Sequence, residues 1–95
     1  MKPSDILNKG ISKFKENNFK EAEQIFRNCI KTYPDQNIIY TYLIPCLINQ
    51  NKLDDALNYS RKLYNLDKKS ETGSTYIGII LFKKLLYEES LKYFQ

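Results

Sequence analysis

The sequence contains no histidine and no tryptophan. It is also poor in residues that punctuate or cross-link a chain, with three glycines, three prolines and two cysteines. Without histidine, the commonest general base and the commonest metal ligand are both missing. The two thiols, Cys29 and Cys46, fall inside apolar helical pattern and not at metal-ligand spacing, so no metal site and no cofactor is expected. No base lies beside either thiol to activate it, and no glycine-rich phosphate loop follows a strand, because no strand is predicted. The acidic pairs Asp54-Asp55 and Glu88-Glu89 sit where helices are expected to start, and there they complement the helix dipole. Together these absences leave no constellation for catalysis, and the chain reads as a non-enzyme with no catalytic residue.

Long runs of one character are missing too. The longest apolar candidate, Tyr76 to Phe82, is seven residues, against the roughly 18–20 that a membrane span requires. No membrane insertion is expected. The formal charge is +4, but basic residues never run longer than two, as at Lys83-Lys84, and they are interleaved with acids from Lys2 to Lys92. A nucleic-acid surface needs a basic stripe on one face, so no nucleic-acid partner is expected. Met1-Lys2-Pro3-Ser4-Asp5 leads straight into a periodic segment without the pattern of a secretory leader. With unpaired thiols inside apolar pattern, the expected location is cytoplasmic.

What is present is repetition. Apolar residues make up 42% and charged residues 27%, ordinary proportions for a globular domain, and the apolar ones recur at helical spacing. Asn18-Phe19-Lys20-Glu21-Ala22, Lys52-Leu53-Asp54-Asp55-Ala56 and Leu86-Tyr87-Glu88-Glu89-Ser90 share one pattern, and their small residues Ala22, Ala56 and Ser90 are spaced 34 and 34. A fixed period of this length marks a repeat architecture. Each unit reads as two helices. In the first, Ser4 caps a helix over about 5–16, whose Ile6, Leu7, Gly10, Ile11 and Phe14 occupy one arc of roughly 140°. Asn17-Asn18 ends it, and Asn18 with Glu21 resembles a capping box for a second helix over 19–32, stopped by Pro34.

The second unit pairs a helix over 37–49, apolar nearly all round, with one over 53–66. Pro45 inside the first of these removes one backbone hydrogen bond, which predicts a kink near Thr41 or a late start. The third unit begins near Ser70-Glu71, with its second helix starting near Tyr87 and stopping short at Gln95. The chain is thus one domain: repeat 1 at about 3–36, repeat 2 at about 37–70 and a partial repeat 3 at about 71–95.

The period and these positions resemble the tetratricopeptide repeat family. Lys9-Gly10, Phe14, Phe19, Ala22, Phe26 and Pro34 match its pattern in the first unit. Tyr40, Leu43, Leu53 and Ala56 match in the second, where Lys68 replaces the closing proline. Ile77, Gly78, Leu81, Tyr87 and Phe94 match in the third, with Ser90 for the usual alanine. The resemblance implies an all-α superhelix, a solenoid of about three hairpins with the last truncated. Gly10, Gly78, Ala22 and Ala56 would permit close helix approach, and the first helices of the hairpins would line a concave groove that holds a peptide or helix of a partner protein. One subgroup of the family clamps an acidic carboxyl terminus with Lys, Asn and Arg. By register those positions fall here on Leu7, Ile11, Tyr42, Thr72 and Tyr76, which cannot hold a carboxylate.

The expected groove is instead apolar: Leu7, Asn8, Ile11 and Phe14 from the first unit, Tyr42 and Ile48 from the second, and Tyr76, Ile79, Phe82 and Lys83 from the third. Such a surface suits helix-in-groove recognition of another protein. The truncated third unit leaves Leu81, Leu85, Leu91 and Phe94 facing nothing. From this the sequence also predicts either a longer repeat array or a homo-oligomer formed through the C-terminal hairpin.

Overall fold

The structure, a computed structural model, describes residues 2–94, with side chains through 92. The chain is all-helical, with five helices and no strand among the described residues: α1 Pro3–Lys15, α2 Phe19–Thr32, α3 Asn37–Asn49, α4 Leu53–Leu66 and α5 Glu71–Phe94. Consecutive helices pack as antiparallel neighbours. In addition α3 touches both α1 and α5, while α2 and α4 approach each other only through long side chains. The result is an elongated slab of 50 × 31 × 19 Å. Its core runs through the middle: Phe26 from α2, Leu43, Ile44, Cys46 and Leu47 from α3, and Ile80 from α5 are fully buried. The all-round apolar α3 therefore lies between neighbours, as its composition requires.

Helix starts differ in detail from the sequence reading. The first turn of α1 is built on Pro3, whose missing N–H costs nothing at that position. The Lys2 amide donates to the Asp5 carboxylate at 3.3 Å, and Ser4 lies inside the helix and does not cap it. Asn18 makes no side-chain cap to α2; its amide donates to Glu16 at 3.2 Å.

The ends of α1 and α3 are the same motif twice. Asn17 (φ 64°) and Asn51 (φ 61°) both take the left-handed conformation, which asparagine tolerates better than other non-glycine residues. Each is followed by a reverse hydrogen bond that closes the helix end, from the Asn18 amide to the Lys13 carbonyl and from the Lys52 amide to the Leu47 carbonyl, both 2.9 Å. The two asparagines are 34 residues apart, and the next position in register is Leu85.

Leucine pays a steric cost in the left-handed region, and here the chain does not turn. The sequence reading places a break near Leu86 and a second short helix from Tyr87; the structure has a single 24-residue helix, α5, through that point. At 1.5 Å per residue α5 is about 36 Å long against about 21 Å for α4. Lys84 reaches Asp54 in the first turn of α4, so the last turns of α5 overhang the slab.

Pro45 neither delays α3 nor breaks it: the helix runs through from Asn37 to Asn49. Proline cannot donate to the carbonyl four residues back, which leaves the Thr41 oxygen without its helical partner. The Tyr76 hydroxyl of α5 donates to that oxygen at 3.3 Å. A tertiary contact thus replaces the lost helical bond.

Candidate interaction surfaces

The ten residues expected to line a groove divide by exposure. Leu7, Ile11, Phe14, Tyr42, Ile48 and Tyr76 are half-buried and packed against the core, whereas Asn8, Ile79, Phe82 and Lys83 are exposed. Tyr42 is fixed on both sides: Phe14 meets its ring edge-on at 5.8 Å, and Phe26 stacks on it at 5.9 Å. Tyr76 is fixed through its bond to Thr41, and burial pushes its phenol above the ordinary value. These six side chains join α1, α2, α3 and α5 to one another. Glutamate at Tyr42 or Tyr76 would therefore disrupt packing as well as any binding.

The exposed apolar surface is concentrated on α5 and includes Ile79 and Phe82 of those ten. Among the described residues, Ile79, Leu81, Phe82, Leu85, Leu86, Tyr87 and Leu91 are seven of the twelve large exposed hydrophobics, and all seven belong to α5. Phe82 is the most exposed of these, at 60%. The opposite side of the same helix is the buried one. Gly73 and Ile80 are buried, and Lys84 is half-buried beside Asp54. Helical geometry places Phe82 about 200° from both Ile80 and Lys84, so it points away from the slab. A concentration of this kind, unlike scattered single residues, makes a candidate interaction surface.

Two features were not legible in the sequence. The first is a polar network between the hairpins. Glu23, only 6% exposed, accepts from Arg27 (2.7 Å), Gln50 (2.8 Å) and Lys52 (2.9 Å), and Arg27 goes on to Tyr59 (2.9 Å) and Asp55 (3.1 Å). The spacing of Glu23 and Arg27 was the one available signal, and it does not announce partners 27 to 32 residues away. Burial by itself raises the Glu23 carboxyl. The hydrogen bonds from Lys52, Arg27 and Gln50 outweigh it and hold the group below its ordinary 4.5.

A carboxylate depressed in the folded state contributes stability above its unfolded pKa, and that stability is lost as pH falls through the folded value. The fold should therefore weaken below about pH 4.5. Glu23→Gln should cost about 1–2 kcal/mol at pH 7 and flatten that acid slope, as read by denaturant melts across pH 3–7. An unchanged slope would mean that Glu23 does not carry it.

The second is a cleft of about 190 Å³ walled by Pro3, Leu7, Cys29, Tyr33 and Ile39. It is smaller than the roughly 300–1,000 Å³ of small-molecule sites. Burial raises the Cys29 thiol, and it pushes Cys46 up to about 12, so neither is a ready nucleophile. Both thiols are free. Among the described residues, no helix is long and apolar enough to cross a membrane. The chain matches none of the protein-family models and none of the curated proteins compared with it.

Proposed function

We propose that the chain is a protein-interaction module of tetratricopeptide type, a short solenoid of helical hairpins whose exposed α5 docks a helix of a protein partner. The concentration of exposed apolar side chains on α5, with Phe82 at its centre, carries this reading. The rest of the fold supports it. Two hairpins end their first helices in the same asparagine motif 34 residues apart. The first helices stand side by side, with α3 in the middle, as the concave side of such a stack requires.

The half-buried Leu7, Ile11, Phe14, Tyr42, Ile48 and Tyr76 form the floor of that side, and Asn8, Ile79, Phe82 and Lys83 its exposed rim. Free buried thiols suit a reducing compartment and support a cytoplasmic location. The test is a photo-crosslinking residue at position 82 in the protein expressed in its source cells. It should trap covalent protein adducts, while the same residue at the exposed Asn58 of α4 should not. No adduct at position 82 would overturn the assignment of α5.

A further inference from the structure

Helices α2 and α4 cover 19–32 and 53–66, the same length shifted by 34 residues. Between them Arg27 donates to Asp55 (3.1 Å) and to the Tyr59 hydroxyl (2.9 Å), and Lys52 donates to Glu23 (2.9 Å). Advancing every partner by 34 gives Arg61 with Glu89, Arg61 with Tyr93, and Leu57 with Leu86. The arginine, the acid and the tyrosine are all kept. The Glu23–Lys52 ion pair becomes a pair of leucines, both sides changing together. Glu23 and Leu57 are buried alike, and a leucine opposite a buried charge would leave that charge uncompensated. The joint change keeps the two sides complementary.

In the straight α5 these contacts are unmade. Arg61, Leu86 and Glu89 are exposed, and among the described residues neither Arg61 nor Glu89 forms an ion pair. Lys84 lies level with Asp54; Arg61 is seven residues along α4 in one direction and Glu89 five along α5 in the other. About 18 Å of helix axis therefore separates them. The α5 face beside them is uncovered in the same way. Gly10 lies under Phe26 of the helix that follows it, and Phe14 meets Phe19 edge-on at 5.6 Å. Their counterparts are open: a β-carbon on Gly78 meets nothing within 4 Å, and Phe82 is exposed. In both earlier units the covering helix starts two residues after a left-handed asparagine, and the third unit has Leu85 at that position.

We propose that the segment from Tyr87 onward is a strap that folds back over the exposed face of α5, the helix breaking at Leu85. In the closed form Glu89 pairs with Arg61, Leu86 packs on Leu57, and Tyr87 covers Phe82 as Phe19 covers Phe14. Leucine opposes the left-handed turn, while burial of Phe82 and Leu86 favours it. The straight form predominates and the closed form is its minor alternative. A partner helix and the strap compete for the same side chains, so the closed form is autoinhibited. The inference rests on the reading of α5 as the docking surface and names its regulation.

The test uses the full chain with spin labels on cysteines at the exposed positions 71 and 92, diluted with unlabelled chain so that only distances within one copy are read. The straight helix sets these positions about 32 Å apart. Closure brings them within about 20 Å, because packed helices lie roughly 8–10 Å apart. The parent should show a minor short distance beside the long one. Leu85→Asn should raise the short-to-long ratio about tenfold. In that background Arg61→Glu should lower the ratio about threefold, and adding Glu89→Arg should restore it. Crosslinked adducts at position 82 should fall as the short distance grows.

A long distance alone in Leu85→Asn overturns the strap, and adducts that persist at position 82 then leave the docking surface standing. Charge reversals that do not compensate overturn the closure against α4. A short distance that grows while adducts at position 82 stay undiminished overturns the autoinhibition. A short distance that responds as expected in a chain giving no adducts at all overturns the docking surface and leaves the strap.

Discussion

Gly73→Val should cost the protein about 3 kcal/mol and lower its melting temperature by roughly 10–20 °C, the largest effect of any single added side chain at a glycine. Gly73 sits in the first turns of α5 against the last turns of α4. A β-carbon there would lie 2.8 Å from both the Cα and the amide nitrogen of Tyr64. The obstacle is backbone, so no rotamer change relieves it, and α5 can only move outward. Moving α5 would also pull Ile80 from the core and Tyr76 from Thr41. Gly10 is tight for a different reason, because its neighbours are the side chains of Phe26 and Ile25. Gly78 provides the control: its β-carbon would stand in open space, so Gly78→Ala should gain about 0.5–1 kcal/mol from helix propensity alone. Thermal melts of the two variants, made at low concentration, should therefore shift in opposite directions. A Gly73→Val protein as stable as the parent would show that α4 and α5 do not touch as described.

Pro45→Ala should stabilise the fold by about 1–2 kcal/mol, part of the roughly 3 kcal/mol that proline costs inside a helix. The more telling result is its coupling to Tyr76. With Pro45 in place, Tyr76→Phe strips the Thr41 carbonyl of the one hydroxyl that bonds it and should cost about 1–2 kcal/mol. With alanine at position 45 the backbone amide donates to Thr41, and the same Tyr76→Phe change should cost less than about 0.5 kcal/mol. The double-mutant cycle should therefore show a coupling of about 1 kcal/mol between residues 31 apart in sequence. Purely additive values, from denaturant melts of the four proteins, would mean that Tyr76 stabilises the fold in some other way.

Much of the local structure was legible because its causes are local. The helices over 19–32, 37–49 and 53–66 follow from apolar spacing and from their stops. Pro34 ends α2, and an asparagine in the left-handed conformation follows each of α1 and α3. The small residues Gly10, Ala22 and Ala56 proved to be buried at helix contacts, as the repeat pattern implies, but Gly78 did not. That error has the same source as the missed continuity of α5. Periodicity shows that the third unit resembles the first two, but whether the chain turns depends on one residue, and position 85 is leucine where positions 17 and 51 are asparagine. The expected surface was likewise only partly visible. Sequence register can say that Tyr42 and Tyr76 share a side of the stack. It cannot say that two phenylalanines and a backbone carbonyl already occupy them.

The sequence by itself determined that this protein is helical, where α2, α3 and α4 begin and end, and that glycine, alanine and aromatic residues alternate in a 34-residue rhythm. These depend on interactions within a few residues of each other, which spacing and composition report directly. Tertiary structure alone decided that Tyr76 repairs the gap left by Pro45, that Glu23 gathers cations and an amide from across the hairpins, and that Gly73, more than any repeat-pattern position, is where two backbones meet. It also decided that α5 runs straight and bares its apolar face. Each of these depends on which distant atoms come within hydrogen-bonding or van der Waals reach, and a linear pattern does not encode that distance.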